Sequence, residues 1–105
     1  MSNSAIIYNV TVKVEQNSAD EWLQWILNLH IPDIMQTKCF TGYKVVRLLD
    51  VDDSEGPTYA IQYFADSKAH YNRYVELHAT AMIQKTFEKW GDRFIAFGSV
   101  MEVVK

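Results

Sequence analysis

Two histidines sit inside apolar helical runs of this 105-residue chain, His30 in LNLHIPDIM (27–35) and His78 in VELHATAMI (75–83). Imidazole changes charge near neutral pH, so it can accept a proton, pass one on or ligate a metal. Leucine would pack in either place more easily. Aligning ILNLH (26–30) with YVELH (74–78) superposes the two rings and makes both candidates for one role. As catalytic candidates, His30 and His78 suit a general base acting on a phenolic or enolisable substrate. With Trp25, Tyr71 and Tyr74 they suit a ligand pocket, apolar with a few polar groups. As structural residues, each ring would bond a carbonyl or a tyrosine in the core.

The elements that must position these rings follow from periodicity. AIIYNVTVKV alternates strictly, with Ile6, Tyr8, Val10, Val12 and Val14 on one face and Ile7, Asn9, Thr11 and Lys13 on the other. Period two with β-branched residues means a strand. Ser18 and Glu21 have capping-box spacing and open a helix carrying Trp22, Leu23, Trp25, Ile26, Leu27 and Leu29. On a helical wheel His30 lies about 80° from Trp22, inside the apolar arc. Pro32 disfavours helical geometry at Ile31, so this helix is expected to end near His30, with a short turn PDIMQT after it. There the helix dipole favours a charged ring, whereas burial favours a neutral one.

FTGYKVVRLLDV (40–51) reads as a second strand, the acidic turn DDSEGP (52–57) follows, and TYAIQYFA (58–65) is a third. Asp66 and Ser67 are both suited to cap a second helix running to Trp90, with Gly91 just past its end. On that helix's wheel His78 falls among Tyr71, Tyr74, Val75 and Met82. RFIAFGSVMEVV (93–104) is the last strand. The order β-α-β-β-α-β predicts one ferredoxin-like α+β domain over residues 1–105: a four-stranded antiparallel sheet with two helices on one face.

The sheet's other face is expected to be apolar too. Phe94, Ala96 and Val100 alternate with Ile95, Phe97, Met101 and Val103, and Val45, Val46, Leu48, Leu49 and Val51 are apolar on both sides. An apolar surface of that size predicts an interface. Two sheets packed face to face would form an isologous homodimer, with Asn9, Thr11 and Gln62 as a polar belt inside it.

No metal is expected. Both histidines sit about a dozen residues, roughly 18 Å, into antiparallel helices, too far apart to share a zinc ion. His70 lies on another face of its helix, and Cys39 is distant in sequence. DVDDSEG (50–56) is out of register with an EF-hand, because Gly56 is seventh and Ile61 twelfth when counted from Asp50. No P-loop, GxGxxG, GxSxG or CxxC is present, so no cofactor is implied.

A net charge of −3 argues against a nucleic-acid partner. The absence of any 18-residue apolar run argues against a membrane span. The start MSNSAIIYNV lacks the features of a secretory signal. A single cysteine suits a reducing compartment, and the cytoplasm is the expected one.

The motifs WLQW (22–25), HIP (30–32), FTGYK (40–44), YAIQYF (59–64), YVELH (74–78) and WGDRF (90–94) run through nearly the whole chain. Together they resemble a family of small bacterial proteins of unknown function, found mainly in Bacteroidetes, within the dimeric α+β barrel superfamily. The resemblance implies two ferredoxin-like sheets face to face and ligands between helices and sheet. The superfamily includes cofactor-free monooxygenases, lactone isomerases, dehydratases and haem-degrading enzymes. The haem degraders use an asparagine on the first strand with a tryptophan and a histidine on the second helix. Asn9 and His78 match by type, but Tyr71 and Tyr74 stand where the tryptophan would be, and Asn9 is expected to point away from the helices.

Three functions follow. The first is a homodimer binding a small, largely apolar or aromatic ligand between helices and sheet. The second is a cofactor-free monooxygenase-type enzyme using His30 or His78. The third is a structural dimer with no small-molecule site.

Overall fold

A computed structural model describes residues 5–105. The first four residues of MSNSAIIYNV, the stretch read for a secretory signal, lie outside the described residues. β1 (Ile6–Val14) is followed by α1 (Ala19–Trp25), a π-helical stretch (Ile26–His30) and α2 (Ile31–Met35), then β2 (Gly42–Arg47) and β3 (Thr58–Ala65). α3 (Lys68–Leu77), α4 (Ala79–Trp90) and β4 (Phe94–Glu102) complete the chain. The strands form one antiparallel sheet in the order β2-β3-β1-β4. This is the ferredoxin-like arrangement, and among the described residues no helix is long and apolar enough to cross a membrane.

Register sorts the two faces. Val12 pairs with Tyr59 and Ala96, and Tyr8 pairs with Tyr63 and Val100; this face meets the helices. Its core is Ile6, Val12, Val14, Ile61 and Tyr63 against Trp22, Ile26, Ile31, Ile34, Tyr74 and Trp90. On the outer face a polar row crosses all four strands, Lys44–Gln62–Asn9–Ser99. Asn9 donates to Thr11 there at 3.0 Å. Apolar groups flank the row, Ile7, Phe64 and Met101 on one side and Val46, Ala60 and Phe97 on the other.

Local structure departs from the sequence expectations at several points. The first helix does not end at His30. Pro32 has no N–H and its ring would clash with the carbonyl four residues back, yet the chain stays helical through Met35. The π stretch accommodates it: the Ile31 N–H reaches Ile26 O, one residue further back than in an α-helix, and His30 and Ile31 keep right-handed helical angles.

The Ser18–Glu21 capping box does not form. Ser18 belongs to a 3-10 turn (Gln16–Ser18) with φ −107° and ψ −5° and makes no side-chain cap bond, because an N-cap needs an extended backbone. Ser67 has that backbone (φ −155°, ψ 164°) and begins α3. Its Oγ shares a 2.8 Å hydrogen bond with His70 Nδ1, three residues on.

The expected single second helix is two, because His78 (φ −131°, ψ −31°) breaks it. No proline or glycine stands there, and nothing in the local sequence accounts for the break. β2 is shorter than the expected 40–51. Cys39 and Phe40 turn into the core before it, and Asp50, at φ 58°, turns the chain away after it. β4 spans Phe94–Glu102 rather than 93–104.

Candidate functional site

Between the helical layer and the sheet lies a cleft of about 420 Å³. Its floor is Tyr8, Val10 and Val12 of β1, Ile61 and Tyr63 of β3, and Phe94, Ala96 and Gly98 of β4. Trp22, Ile26, His30 and Ile34 form one part of the roof, and Tyr74, Met82, Ile83, Thr86 and Phe87 the other. It exists because the helices cover the sheet unevenly. β4 is an edge strand whose inward Ala96 and Gly98 stay exposed, and α4 above it leaves Ile83 and Phe87 more than half exposed. The opening reaches Ile95 and Phe97 at the β4 edge.

The roof residues 22, 26, 30 and 34 recur every fourth position. In a regular α-helix each such step drifts about 40°, so three steps carry the last side chain about 120° off the face. The π stretch inserts an extra residue into one turn, takes back part of that drift and keeps all four over the cleft.

His30 is the ionisable group this brings to the cleft. It is 9% exposed, and its ring stacks on Trp25 with centroids 4.7 Å apart and planes 19° from parallel. Its Nδ1 is buried and has no hydrogen-bond partner among the described residues. Burial drives its pKa down from 6.5 to about 4; Asp33 opposes that shift and Lys85 adds to it. Those two side chains form a 3.3 Å ion pair between α2 and α4. The helix continues past His30, so no helix-end dipole favours charge there; burial decides, and the ring is neutral at pH 7. The expected carbonyl or tyrosine bond is absent at Nδ1.

Three tyrosines form the facing wall. The Tyr8 ring lies 6.0 Å from Tyr63 and 5.9 Å from Tyr74. Burial pushes all three phenols above their ordinary pKa, and their neighbours Tyr71 (for Tyr8), Tyr74 (for Tyr63) and Tyr8 (for Tyr74) push the same way. The Tyr8 ring edge occupies the space over Gly98, where a Cβ would stand 3.2 Å from it and 3.7 Å from its hydroxyl.

Of the five residues expected to line a cleft, His30 and Tyr74 do so. Trp25 backs His30 instead, and Tyr71 packs on Tyr8 at 5.5 Å. His78 is half-buried at the α3–α4 break with its ring 6.2 Å from Tyr74, outside the lining. Its wheel position assumed a straight helix, which the break at His78 removes. The two histidines are therefore not equivalent. Asn9 lies on the opposite face of the sheet, so the haem-degrading constellation is not assembled. Among the described residues no group of three or more His, Cys, Asp or Glu side chains converges.

Sequence reasoning missed Trp22, Tyr8, Tyr63, Thr86 and the β4 floor as cleft residues. One signal was available: Ala96 and Gly98 are small inward positions in an otherwise bulky strand, which leaves room above them.

Solved structures with this fold include SnoaB, a cofactor-independent oxygenase from Streptomyces nogalater, at 8% identity, covering 97% of this chain and 95% of that one, with a TM-score of 0.69. An ethd-like protein from Ralstonia eutropha JMP134 is 15% identical over 98% of this chain and 95% of its own, with a TM-score of 0.68. A dimeric ferredoxin-like protein from an uncultured marine organism is 11% identical over 97% of each chain, with the same TM-score, 0.68. At these identities the likeness is one of fold. No match to the sequence is found among curated proteins. The model of a domain of unknown function, DUF4286, matches residues 5–104, and the chain belongs to that family.

Proposed function

We propose that this protein is a homodimer that holds a small, largely apolar or aromatic ligand in the cleft between its helices and its sheet. The observation that carries the reading is the cleft: about 420 Å³, walled mainly by apolar and aromatic side chains, with a few convergent polar groups. N-phenyl-1-naphthylamine, which fluoresces when removed from water, is a suitable probe. It is expected to bind the wild type in the micromolar range. Ala96→Trp, which fills the floor from an exposed position, is expected to weaken it at least about tenfold. Absence of binding to the wild type would leave the purely structural dimer.

The homodimer is supported by the outer face of the sheet, where Val46, Phe97 and Met101 are 37%, 62% and 38% exposed beside the polar row. One related structure is described as dimeric. Val46→Glu with Met101→Glu places charges on that face without touching the cleft. Sedimentation is expected to show a dimer for the wild type and a folded monomer for the variant, because unpaired buried charges are strongly destabilising. A wild-type monomer at micromolar concentration would overturn the assembly. The lone, buried Cys39 fits a reducing cytoplasm.

A second reading, a cofactor-free monooxygenase type, is favoured by one feature. His30 lines the cleft as a neutral ring whose Nδ1 has no hydrogen-bond partner among the described residues, the form a general base takes, although burial makes it a weak base. Oxygen uptake with 1-naphthol, lost in His30→Ala and kept in His78→Ala, would establish it; no uptake by the wild type would remove it.

A further inference from the structure

The chemistry of the cleft wall limits what can enter. Among the described residues no Asp, Glu, Lys, Arg, Asn or Gln lines it. Its polar groups are three phenols, one threonine, the Trp22 indole and His30. Thr86 already donates its only hydroxyl proton to the Met82 carbonyl at 3.1 Å. The Tyr63 and Tyr74 rings stand 6.0 and 5.9 Å from the Tyr8 ring, and all three line the cleft, so three phenols belong to one wall. Phenols kept protonated in an apolar setting are donors first, and a partner offering lone pairs satisfies them. A carboxylate or ammonium would lose its hydration with no opposite charge to meet it.

We infer that the cleft selects uncharged aromatic molecules carrying a carbonyl-type acceptor, which the tyrosine wall receives while the hydrocarbon body lies against β4 and α4. This rests on the ligand-binding reading above and adds the chemical class. The pKa values of the cleft's own groups agree with it: the site disfavours charge of either sign, holding the phenols above and the imidazole below their ordinary values. Tyr8 is the member of the wall placed to meet the ligand on the open side, since its hydroxyl lies beside the exposed Gly98.

Equilibrium dialysis at neutral pH with three probes of one skeleton tests it: naphthalene, 2-acetylnaphthalene and 2-naphthoate. 2-Acetylnaphthalene is expected to bind at least about tenfold more tightly than naphthalene, and 2-naphthoate more weakly than either. Tyr8→Phe is expected to reduce the acetyl advantage, the ratio of the 2-acetylnaphthalene and naphthalene affinities, to about threefold or less. Equal affinity for naphthalene and 2-acetylnaphthalene would overturn the acceptor requirement, and tightest binding of 2-naphthoate would overturn neutrality. Either result would leave the apolar cleft itself in place. An acetyl advantage untouched by Tyr8→Phe or by Tyr63→Phe with Tyr74→Phe would remove the tyrosine wall as its source. If none of the probes binds, or if Ala96→Trp binds all of them like the wild type, the ligand-binding reading fails and this inference with it.

Discussion

On acidification from pH 7 to pH 4, the native state is expected to lose about 3 kcal/mol of stability through His30 alone. Its folded-state pKa of about 4 lies below the ordinary 6.5. Between those values the unfolded chain binds a proton that the native chain refuses, so stability rises with pH. The penalty is absent above about pH 6.5, grows by about 1.4 kcal/mol per pH unit below it and is complete near pH 4. The charged groups facing the ring are Asp33 and Lys85, which act in opposite directions.

The clean measurement compares urea unfolding of the wild type and His30→Phe at several pH values. Carboxylate titrations common to both proteins cancel. Phe keeps a ring against Trp25, so the variant is expected to match or exceed the wild type at pH 7, where an unpartnered nitrogen has been removed. Its stability is expected to fall less steeply below pH 6.5. Parallel pH profiles would show that His30 titrates as an exposed imidazole does.

Gly56→Ala is the substitution expected to cost most, about 3 kcal/mol or more. Gly56 is buried, with φ 148°. A Cβ there would stand 1.8 Å from the Val14 carbonyl oxygen and 2.9 Å from the Gln16 nitrogen. Both obstacles are backbone, and both are pinned: Val14 N–H donates to Pro57 O, and Gln16 N–H to Glu55 O, each at 3.0 Å. A methyl group therefore has to separate the acidic turn from the end of β1 and break those bonds, besides adopting an angle that suits glycine alone. Gly91→Ala is the control. Its φ of 57° with ψ −124° also suits glycine, but nothing among the described residues lies within 4 Å of its Cβ position, so only the backbone term applies, about 1–3 kcal/mol. Equal losses in the two variants, read from denaturation midpoints, would show that the turn moves aside freely.

The acidic turn also shows how far a motif can be read. DVDDSEG is out of register for a calcium loop, and its carboxylates have local work. Asp52 accepts from the Ser54 N–H at 3.0 Å, which holds its pKa below the ordinary value, and Asp53 pairs with Arg47 at 3.2 Å. What the spacing could not reveal was Gly56's close approach to Val14, which depends on where a distant strand lies.

The strands, their faces and the placing of Asn9 and Gln62 on the outer surface were legible in the chain, since alternation is a property of consecutive residues and a two-residue period admits only one partition of each strand. The order of elements, and hence the antiparallel sheet with helices on one side, followed from the same local patterns and the handedness of crossovers. The tertiary structure decided the rest. Only in three dimensions does a π turn keep a proline-containing helix going and swing His30 over the cleft. Only there does the break at His78 take the second ring out of it. A helical wheel assumes uniform rotation per residue, and a pocket forms where packing departs from uniformity, here above an edge strand that the helices leave uncovered.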